Sequence, residues 1–316
     1  MQNNRKGNKM KKIILDTDIG IDCDDAAAIG LLLQLEDEGK CFLEGITTST
    51  TREGAVEAVR AIVQYYGKEK EIGRMGEPGI PCDNENTYAR ALKEHYGCCG
   101  NAGDAVEMLR RKLACTEERM TLIAIGPLSN VERLIRSGGD GYSELNGAEL
   151  LKEKVDCLYI MGGSFKENYS PEGLIDKKEL VREWNILQDI GAARYVAREC
   201  TCPMVFCPYE AGIFVKTKMK TGKNPIWYAM KNFVECTKCG TGSEYEYERE
   251  SWDPVTCLAA LEDFNPYFTL SDRGRVTVSE DGETKFHIDD GGTARFLLVK
   301  GNYEKLSQRI NSLIRD

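Results

Sequence analysis

The chain has 316 residues, 41% of them hydrophobic, and a formal net charge of −9, as expected for an acidic globular protein with a sizeable core. This charge argues against nucleic acid or an anionic membrane surface as a partner, and no apolar run approaches the roughly 20 residues of a membrane helix. The N-terminus lacks the apolar core of a secretory signal, so we expect the 13 cysteines to be reduced thiols of a cytoplasmic protein.

The first predicted element is a strand that ends in acids. Residues 1–10 are polar and basic, and we expect a flexible tail there, followed by a single domain over residues 11–316. The apolar run Lys12–Leu15 predicts a strand, and a helical pattern opens at Ala26. Between them stand five aspartates: Asp16, Asp18, Asp22, Asp24 and Asp25. A strand, an acidic turn and a helix are typical of the first unit of an α/β fold.

The five aspartates of this turn predict a metal or catalytic site. Crowded carboxylates repel one another unless a cation balances them, and their oxygens suit hard cations such as Ca²⁺ or Mg²⁺. The alternative is that Asp24 and Asp25 merely interact with the dipole of the helix that they open. That alternative does not extend to Asp16 and Asp18, which flank the end of the strand.

Strands and helices alternate along most of the remaining chain. The apolar patterns predict strands at 41–48, 121–125, 155–160, 203–207 and 293–299, and a hairpin over 275–288. They predict helices at 53–66, 104–113, 131–136, 182–197, 226–236, 253–261 and 303–314. We therefore predict an α/β fold with a mainly parallel open sheet flanked by helices, with a Rossmann-like core and a small antiparallel piece near the C-terminus.

Polar turns follow four of these strands. Besides the acidic turn they are residues 49–52, 126–130 and 161–164, and in a parallel sheet such turns meet at one edge. The later segments 182–186 and 250–254 can join them. Asp253 is also well placed to do no more than cap a helix. Trp184 and Trp252 are either core aromatics or the lining of a sugar or base pocket.

These motifs, in this order, resemble the inosine–uridine-preferring nucleoside hydrolase family over residues 12–262. The resemblance rests on Asp16-Thr-Asp18-Ile-Gly20, Asp24-Asp25-Ala26, Gly126-Pro-Leu-Ser-Asn130, Met161-Gly-Gly-Ser164, Glu183-Trp-Asn185-Ile186 and Trp252-Asp253-Pro254. It implies a Ca²⁺-dependent hydrolysis of the N-glycosidic bond of a ribonucleoside, a role in purine or pyrimidine salvage, and a homo-oligomer. The substrate partner would be a small-molecule nucleoside.

The resemblance also implies roles for individual residues. The Ca²⁺ ligands would be the side chains of Asp18, Asp25 and Asp253 and the carbonyl of Ser129. Asp24 would lie at the metal and the ribose hydroxyls, and Asp16 would be a supporting acid. The residues binding the substrate would include Met161 beneath the ribose, Glu183 and Asn185 at its hydroxyls, and Trp252. Asp18 would act as general base in a reaction with an oxocarbenium-like transition state, which favours a carboxylate-rich site.

The chain departs from the family pattern at several positions. Ile19 replaces a proline, and the acidic turn is two residues longer, which leaves the role of Asp22 open. Arg52 stands where the family often has Asn, and Trp252 stands where many members carry a His used to activate the leaving group. Neither His95 nor His287 is an obvious substitute, so we hypothesise that an aromatic side chain activates the base by stacking.

Two other functions stay open at this point. One is a ribosyl-ligand-binding protein of the same fold without turnover, which Trp252 motivates. The other is a haloacid-dehalogenase-like phosphatase with Asp16 as nucleophile, although that family would not predict the pair Asp24 and Asp25. The Cys236–Cys239 pair has too few neighbouring ligands for structural zinc, and we interpret it as an incidental surface pair.

Overall fold

The computed structural model describes residues 10–80, 88–165, 181–261 and 267–314, so the predicted tail lies outside the described residues except for Met10. The helices in these ranges are α1 Asp24–Asp37, α2 Ala55–Tyr65, α3 Tyr88–Tyr96, α4 Ala105–Cys115, α5 Ser129–Arg136, α6 Gly147–Lys154, α7 Trp184–Gln188, α8 Ile190–Glu199, α9 Tyr209–Gly212, α10 Pro225–Thr237, α11 Asp253–Leu261 and α12 Tyr303–Ser312. The strands are β1 Lys11–Thr17, β2 Cys41–Thr48, β3 Ile72–Arg74, β4 Gly103–Asp104, β5 Met120–Ala124, β6 Val155–Met161, β7 Met204–Cys207, β8 Lys216–Lys220, β9 Thr241–Gly242, β10 Glu246–Glu250, β11 Phe268–Leu270, β12 Gly274–Val278, β13 Thr284–Ile288 and β14 Ala294–Val299.

The main sheet confirms the predicted fold class. Its central strands are parallel, in the order β14-β7-β6-β5-β1-β2-β3-β4. The hairpin β12–β13 lies at the β14 end of the sheet, as the hairpin predicted over 275–288 requires. The short strand β11, which was not predicted, adds a second antiparallel pairing with β14. The strands of this sheet come from residues 11 to 299 of the chain. The single-domain organisation over 11–316 stays a prediction.

Strand β1 lies between two apolar layers. Ile13 and Leu15 pack into the layer formed with α1, α2, α10 and α11, whereas Ile14 packs into the layer formed with α4, α5, α6 and α8. All three side chains are fully buried. A strand buried on both faces has no polar alternation, which explains its continuous apolar sequence. None of the described helices combines the length and apolar character needed to span a bilayer.

Two differences from the sequence prediction lie close to the polar turns, and helix α6, Gly147–Lys154, was also not predicted. The single helix predicted over 182–197 is wrong, because Asp189 has non-helical backbone angles and its side chain caps α8 by accepting from the N–H of Ala192. The separate antiparallel sheet of β8, β10 and β9 was not predicted. Its strand Lys216–Lys220 buries only Thr217 and Met219, and since just one of these is apolar the strand has a weak hydrophobic pattern in the sequence.

Candidate active site

The carboxyl ends of four neighbouring strands build the site. Strands β6, β5, β1 and β2 are adjacent and parallel, so the four polar turns that follow them lie at one edge of the sheet, as predicted. Asp16 is in register with Thr47 of β2 and Ala124 of β5. Ser129 is the buried first residue of α5 at this edge, and its hydroxyl donates a 2.6 Å hydrogen bond to Asp189.

Three buried carboxylates converge beside the acidic turn. Each of Asp24, Asp25 and Asp253 offers an oxygen within 4.8 Å of the other two, and each is at most 4% exposed. Asp24 and Asp25 open α1 and Asp253 opens α11, and these two helices pack against each other. Asp253 therefore belongs to this carboxylate cluster, and its role is more than that of a helix cap.

Backbone and hydroxyl donors fix the carboxylate cluster. Asp24 Oδ2 accepts hydrogen bonds from the backbone N–H groups of Trp252, at 2.9 Å, and Asp253, at 3.1 Å. The hydroxyl of Thr17 donates to Asp25 Oδ1. Because these donors belong to the strand end and the α11 turn, the fold sets the spacing of the three carboxylates before any ligand binds.

The electrostatics of this cluster suit a hard cation. Burial raises the pKa of Asp24 to about 7 and raises the pKa values of Asp25 and Asp253 well above their ordinary range. The charges of neighbouring carboxylates add to each shift. A bound cation would favour the ionised carboxylates and so lower these raised pKa values. A donor set made only of oxygen fits Ca²⁺ or Mg²⁺ rather than a softer metal.

Asp18 lies beside the carboxylate cluster rather than within it. Its charge contributes to the raised pKa values of Asp25 and Asp253, and its side chain is 3% exposed. Burial raises the pKa of Asp18 to about 6, and a hydrogen bond from Gln188 limits the rise. A carboxyl with a pKa near neutrality and a fixed orientation is suited to accept a proton.

Asp16 is a structural acid beneath the site. It is fully buried and accepts hydrogen bonds from the Thr47 hydroxyl, at 2.5 Å, and the Asn130 amide, at 2.8 Å. The same amide donates to the carbonyl of Thr48, at 3.0 Å. Burial raises the pKa of Asp16 to about 7 despite these donors. Asp16 and Asn130 thus join the ends of β1 and β2 to the start of α5.

Glu183, Asn185 and Met161 form a second polar group at the same edge. Glu183 caps α7 by accepting from the N–H groups of Asn185 and Ile186, and burial raises its pKa to about 7. The amide of Asn185 donates to the carbonyls of Ile125, at 3.1 Å, and Met161, at 3.2 Å. Because its amide hydrogens are used in this way, Asn185 presents its side-chain oxygen as an acceptor.

The aromatic and extra acidic residues take distinct positions. The Trp252 indole N–H donates a 2.8 Å hydrogen bond to the carbonyl of Tyr209, and the two rings stack with centroids 5.8 Å apart. Trp184, by contrast, is 57% exposed on α7 and is not a core residue.

Asp22 pairs with Arg249 of β10 and takes no part in the carboxylate cluster. The two histidines lie elsewhere, on α3 and β13.

Sequence reasoning missed three residues of this site. Gln188 follows Asn185 by one helical turn on α7, and this spacing is the signal that was available. Asn130 belongs to a recognised turn motif without an assigned role. Arg249 gave no signal, since only the tertiary structure brings β10 to the acidic turn 227 residues earlier in the chain.

Comparison with known proteins identifies the family and the fold. Residues 13–301 match the family model described as inosine-uridine preferring nucleoside hydrolase. The inosine-uridine preferring nucleoside hydrolase of Bacillus anthracis shares 20% identity with a TM-score of 0.65, over 96% of this chain and 99% of that one. The purine-preferring ribonucleoside hydrolase of Gardnerella vaginalis shares 17% identity with a TM-score of 0.66, again over 96% and 99%.

A third similar structure is that of an effector protein. The type III effector protein XopQ, solved complexed with adenosine diphosphate ribose, shares 18% identity with a TM-score of 0.60, over 97% of this chain and 93% of that chain. A search among curated proteins finds no match. At these identities the structural likenesses establish the fold, and the match over 13–301 establishes the family, as the sequence motifs predict.

Proposed function

Because the chain belongs to the inosine-uridine preferring nucleoside hydrolase family, and is thus an enzyme of the N-ribohydrolase class, we propose that it hydrolyses a ribonucleoside to ribose and free base with Ca²⁺ as cofactor. The observation that carries the proposal is the buried cluster of Asp24, Asp25 and Asp253 at the carboxyl edge of the sheet. Its all-oxygen donor set and raised pKa values support a hard cation there.

The proposed metal ligands are Asp18, Asp25, Asp253 and the carbonyl of Ser129. Asp24 would be shared between the cation and the ribose hydroxyls, consistent with its place in the carboxylate cluster. When bound, Ca²⁺ would fix the ribose diol and lower the pKa of a nearby water. The hydrogen bonds from Trp252 and Asp253 would keep Asp24 in place as the substrate enters.

Asp18 is the proposed general base. It would take a proton from the attacking water while the water oxygen forms a bond to the anomeric carbon and the bond to the base nitrogen breaks. The base would leave with the electron pair of that bond and take up a proton from solvent. The transition state carries positive charge on the sugar, which the neighbouring carboxylates stabilise. The hydrogen bond from Gln188 would hold the Asp18 carboxylate in one orientation during this step.

The ribose would lie between the carboxylate cluster and the Glu183 group. Asn185 would accept a hydrogen bond from a ribose hydroxyl through its side-chain oxygen, since its amide already donates to the carbonyls of Ile125 and Met161. Glu183 would accept a second hydroxyl, and Met161 would pack beneath the sugar. A deoxyribose would leave one of these buried acceptors unpaired, so we expect a preference for ribonucleosides.

Trp252 is the proposed contact for the leaving base. Its indole N–H is engaged by the Tyr209 carbonyl, so this group does not act as the proton donor that a His would provide. We propose that the indole face stacks on the base instead. Trp252→Ala should then lower kcat for nucleosides, and an unchanged kcat on every nucleoside would contradict the stacking role.

A second candidate is a ribosyl-ligand-binding protein without turnover. The observation that favours it is Trp252 at the position of the family's His, together with the adenosine diphosphate ribose complex of XopQ. The phosphatase alternative loses support, because Asp16 is fully buried and held by Thr47 and Asn130, whereas a phosphate-accepting nucleophile must be reached by its substrate.

Reducing-sugar release from a panel of purine and pyrimidine nucleosides, with added Ca²⁺ and after chelation, tests the proposal. Ribose released only with Ca²⁺ is expected. Calcium-dependent nucleoside binding by calorimetry without any ribose release would favour the binding protein. The cytoplasmic location, the homo-oligomer, the single domain and the role in nucleoside salvage stay predictions.

A further inference from the structure

Two sets of contacts join the acidic turn to the segment that precedes α11. In the first, Asp24 accepts from the backbone N–H groups of Trp252 and Asp253. In the second, the Asp22 carboxylate accepts from Arg249, with Nε lying 3.1 Å from Oδ1 and 3.2 Å from Oδ2, and Nη2 also donates to Oδ2. The second set joins the two-residue extension of the turn to the last residues of β10.

The Asp22–Arg249 pair is partly shielded from water. The side chains of Arg249 and Asp22 are 13% and 27% exposed. A pairing of a guanidinium with a carboxylate through two nitrogens fixes distance and orientation together, and lysine does not reproduce this geometry. Arg249 also pairs with Glu250 through Nη1. Removing Arg249 would therefore leave the partly buried Asp22 without this counter-ion, a loss larger than that of an exposed ion pair, whereas Asp22→Asn would leave Arg249 paired with Glu250 alone.

Arg249 also supports an aromatic side chain of the site. Its guanidinium carbon lies 5.1 Å from the centroid of the Trp252 ring and 5.3 Å from that of Phe233, within the range of a cation–π contact. Trp252 is further held by its hydrogen bond to the Tyr209 carbonyl and by close packing on Gly212. Arg249 thus lies between the acidic turn and the ring proposed to meet the base.

We propose that Asp22 and Arg249 are positioning residues that act as one ion pair to hold the Trp252 ring against the leaving base. The inference rests on the proposed function. Stacking depends on ring placement to within a fraction of a ring width, so an aromatic activator needs a rigid support. The ion pair relates two departures from the family pattern, because the longer turn supplies Asp22 and the Trp replaces the His.

A comparison of two substrates tests this role in Arg249→Met, Arg249→Lys and Asp22→Asn. One substrate is a nucleoside that the wild type hydrolyses. The other is p-nitrophenyl β-D-ribofuranoside, whose phenolate leaves without activation. For Arg249→Met we expect kcat to fall about 10- to 100-fold on the nucleoside, by the misplacement of a reacting group, and about threefold or less on the phenyl riboside. Asp22→Asn should act in the same direction, and Arg249→Lys should lie between Arg249→Met and the wild type.

Two further readouts separate positioning from general damage. The Asp22→Asn/Arg249→Met double variant should lose about as much as Arg249→Met alone, since both remove one ion pair. In the same double variant the affinity for Ca²⁺ by calorimetry should change by about threefold or less, because one negative and one positive charge are lost together and the net charge beside Asp24 is unchanged. Arg275→Met is the matched control, since Arg275 forms an exposed pair with Asp289 on the β12–β13 hairpin, and it should match the wild type.

Equal losses on both substrates, no loss on either, or a large loss of Ca²⁺ affinity in the double variant would each overturn the inference. If Arg249→Met does not fold, the other two single variants decide the same comparison. If the wild type releases product from neither substrate, the proposed function fails separately. The positioning role is then measured in a crystal structure of a folded variant, where departure of the indole from the Tyr209 carbonyl supports it and an unmoved indole overturns it.

Discussion

The amide of Gln188 donates a 2.7 Å hydrogen bond to Oδ2 of Asp18, joining α7 to the acidic turn across 170 residues of chain. The same amide lies 3.3 Å from the side-chain oxygen of Asn185, so one residue orients both the proposed base and a proposed ribose contact. Gln188→Leu should lower kcat about 10- to 100-fold, the usual effect of removing a residue that orients a ligand or base. Steady-state ribose release measures it.

The matched control for this prediction is Gln308→Leu, because Gln308 is an exposed residue of α12 whose amide donates to Glu304, one turn earlier on the same helix. This variant should retain wild-type kcat. Equal rates for the two leucine variants would show that the Gln188 hydrogen bond does not contribute to turnover.

The hydrogen bonds of Asn130 predict a loss of stability. Asn130→Ala removes the donor to both Asp16 and the Thr48 carbonyl in a fully buried place. We expect the free energy of unfolding to fall by about 1–3 kcal/mol, the cost of leaving a buried acceptor unsatisfied. Urea unfolding followed by circular dichroism measures this. The exposed Asn101→Ala should stay within about 0.5 kcal/mol of the wild type, and an equal effect of both variants would contradict the prediction.

The buried carboxyls predict a pH dependence of stability. Burial raises the pKa of Asp16 and of Asp24 to about 7 in the folded protein, against an ordinary value of 3.8. Stabilisation by these groups is therefore complete below pH 3.8 and is lost as the pH rises through about 7, since the unfolded chain releases its protons first. For the chelated protein, the thermal midpoint should be lower at pH 8 than at pH 5 by at least about 5 °C.

Calcium should oppose this loss of stability. A cation favours the ionised carboxylates, so its addition should raise the thermal midpoint more at pH 8 than at pH 5. Asp24→Asn removes one titrating group and should flatten the pH dependence of the chelated protein. Scanning calorimetry measures all of these midpoints, and a chelated wild type that is equally stable at both pH values would contradict the assignment.

The close packing of Trp252 on Gly212 predicts that a methyl group added at Gly212 lowers activity. A Cβ on Gly212 would meet Cδ1 of Trp252 at 2.4 Å and its Cα at 2.6 Å, so Gly212→Ala should displace the whole residue and the indole with it. We expect kcat on nucleosides to fall by about tenfold or more, since a small misplacement of a reacting group is costly. In Gly222→Ala the new Cβ would have no neighbour closer than 3.8 Å, and this control should behave as the wild type. A fully active Gly212→Ala would contradict a role for the indole position.

Much of the fold follows from local sequence. Strand β2 and helix α11 begin and end where the apolar pattern predicts. The reason is that most of their side chains are buried in the core and no turn-forming residue interrupts either segment. The break at Asp189 was not predictable from periodicity, since the apolar pattern continues across it. Helix α6 begins with a capping box of Asn146 and Glu149, a signal that was present in the sequence but went unused.

In the candidate site, too, some features follow from local sequence and others depend on tertiary packing. The opening acidic motif and the order of the later turns predict which residues meet at the sheet edge, because parallel strands deliver their carboxyl ends together. Pairings such as Asp22 with Arg249 depend on how a separate small sheet packs against the acidic turn. No local pattern in the sequence records that packing, so the role of Asp22 required the structure.

Asp18 is the proposed proton acceptor of the N-ribohydrolase reaction, and ribose release by Asp18→Asn under saturating nucleoside and Ca²⁺ measures its contribution. We predict that kcat falls at least about 100-fold, the usual contribution of a general base, while thermal unfolding confirms that the variant is folded. A folded Asp18→Asn enzyme that releases ribose at the wild-type rate would contradict the proposed mechanism.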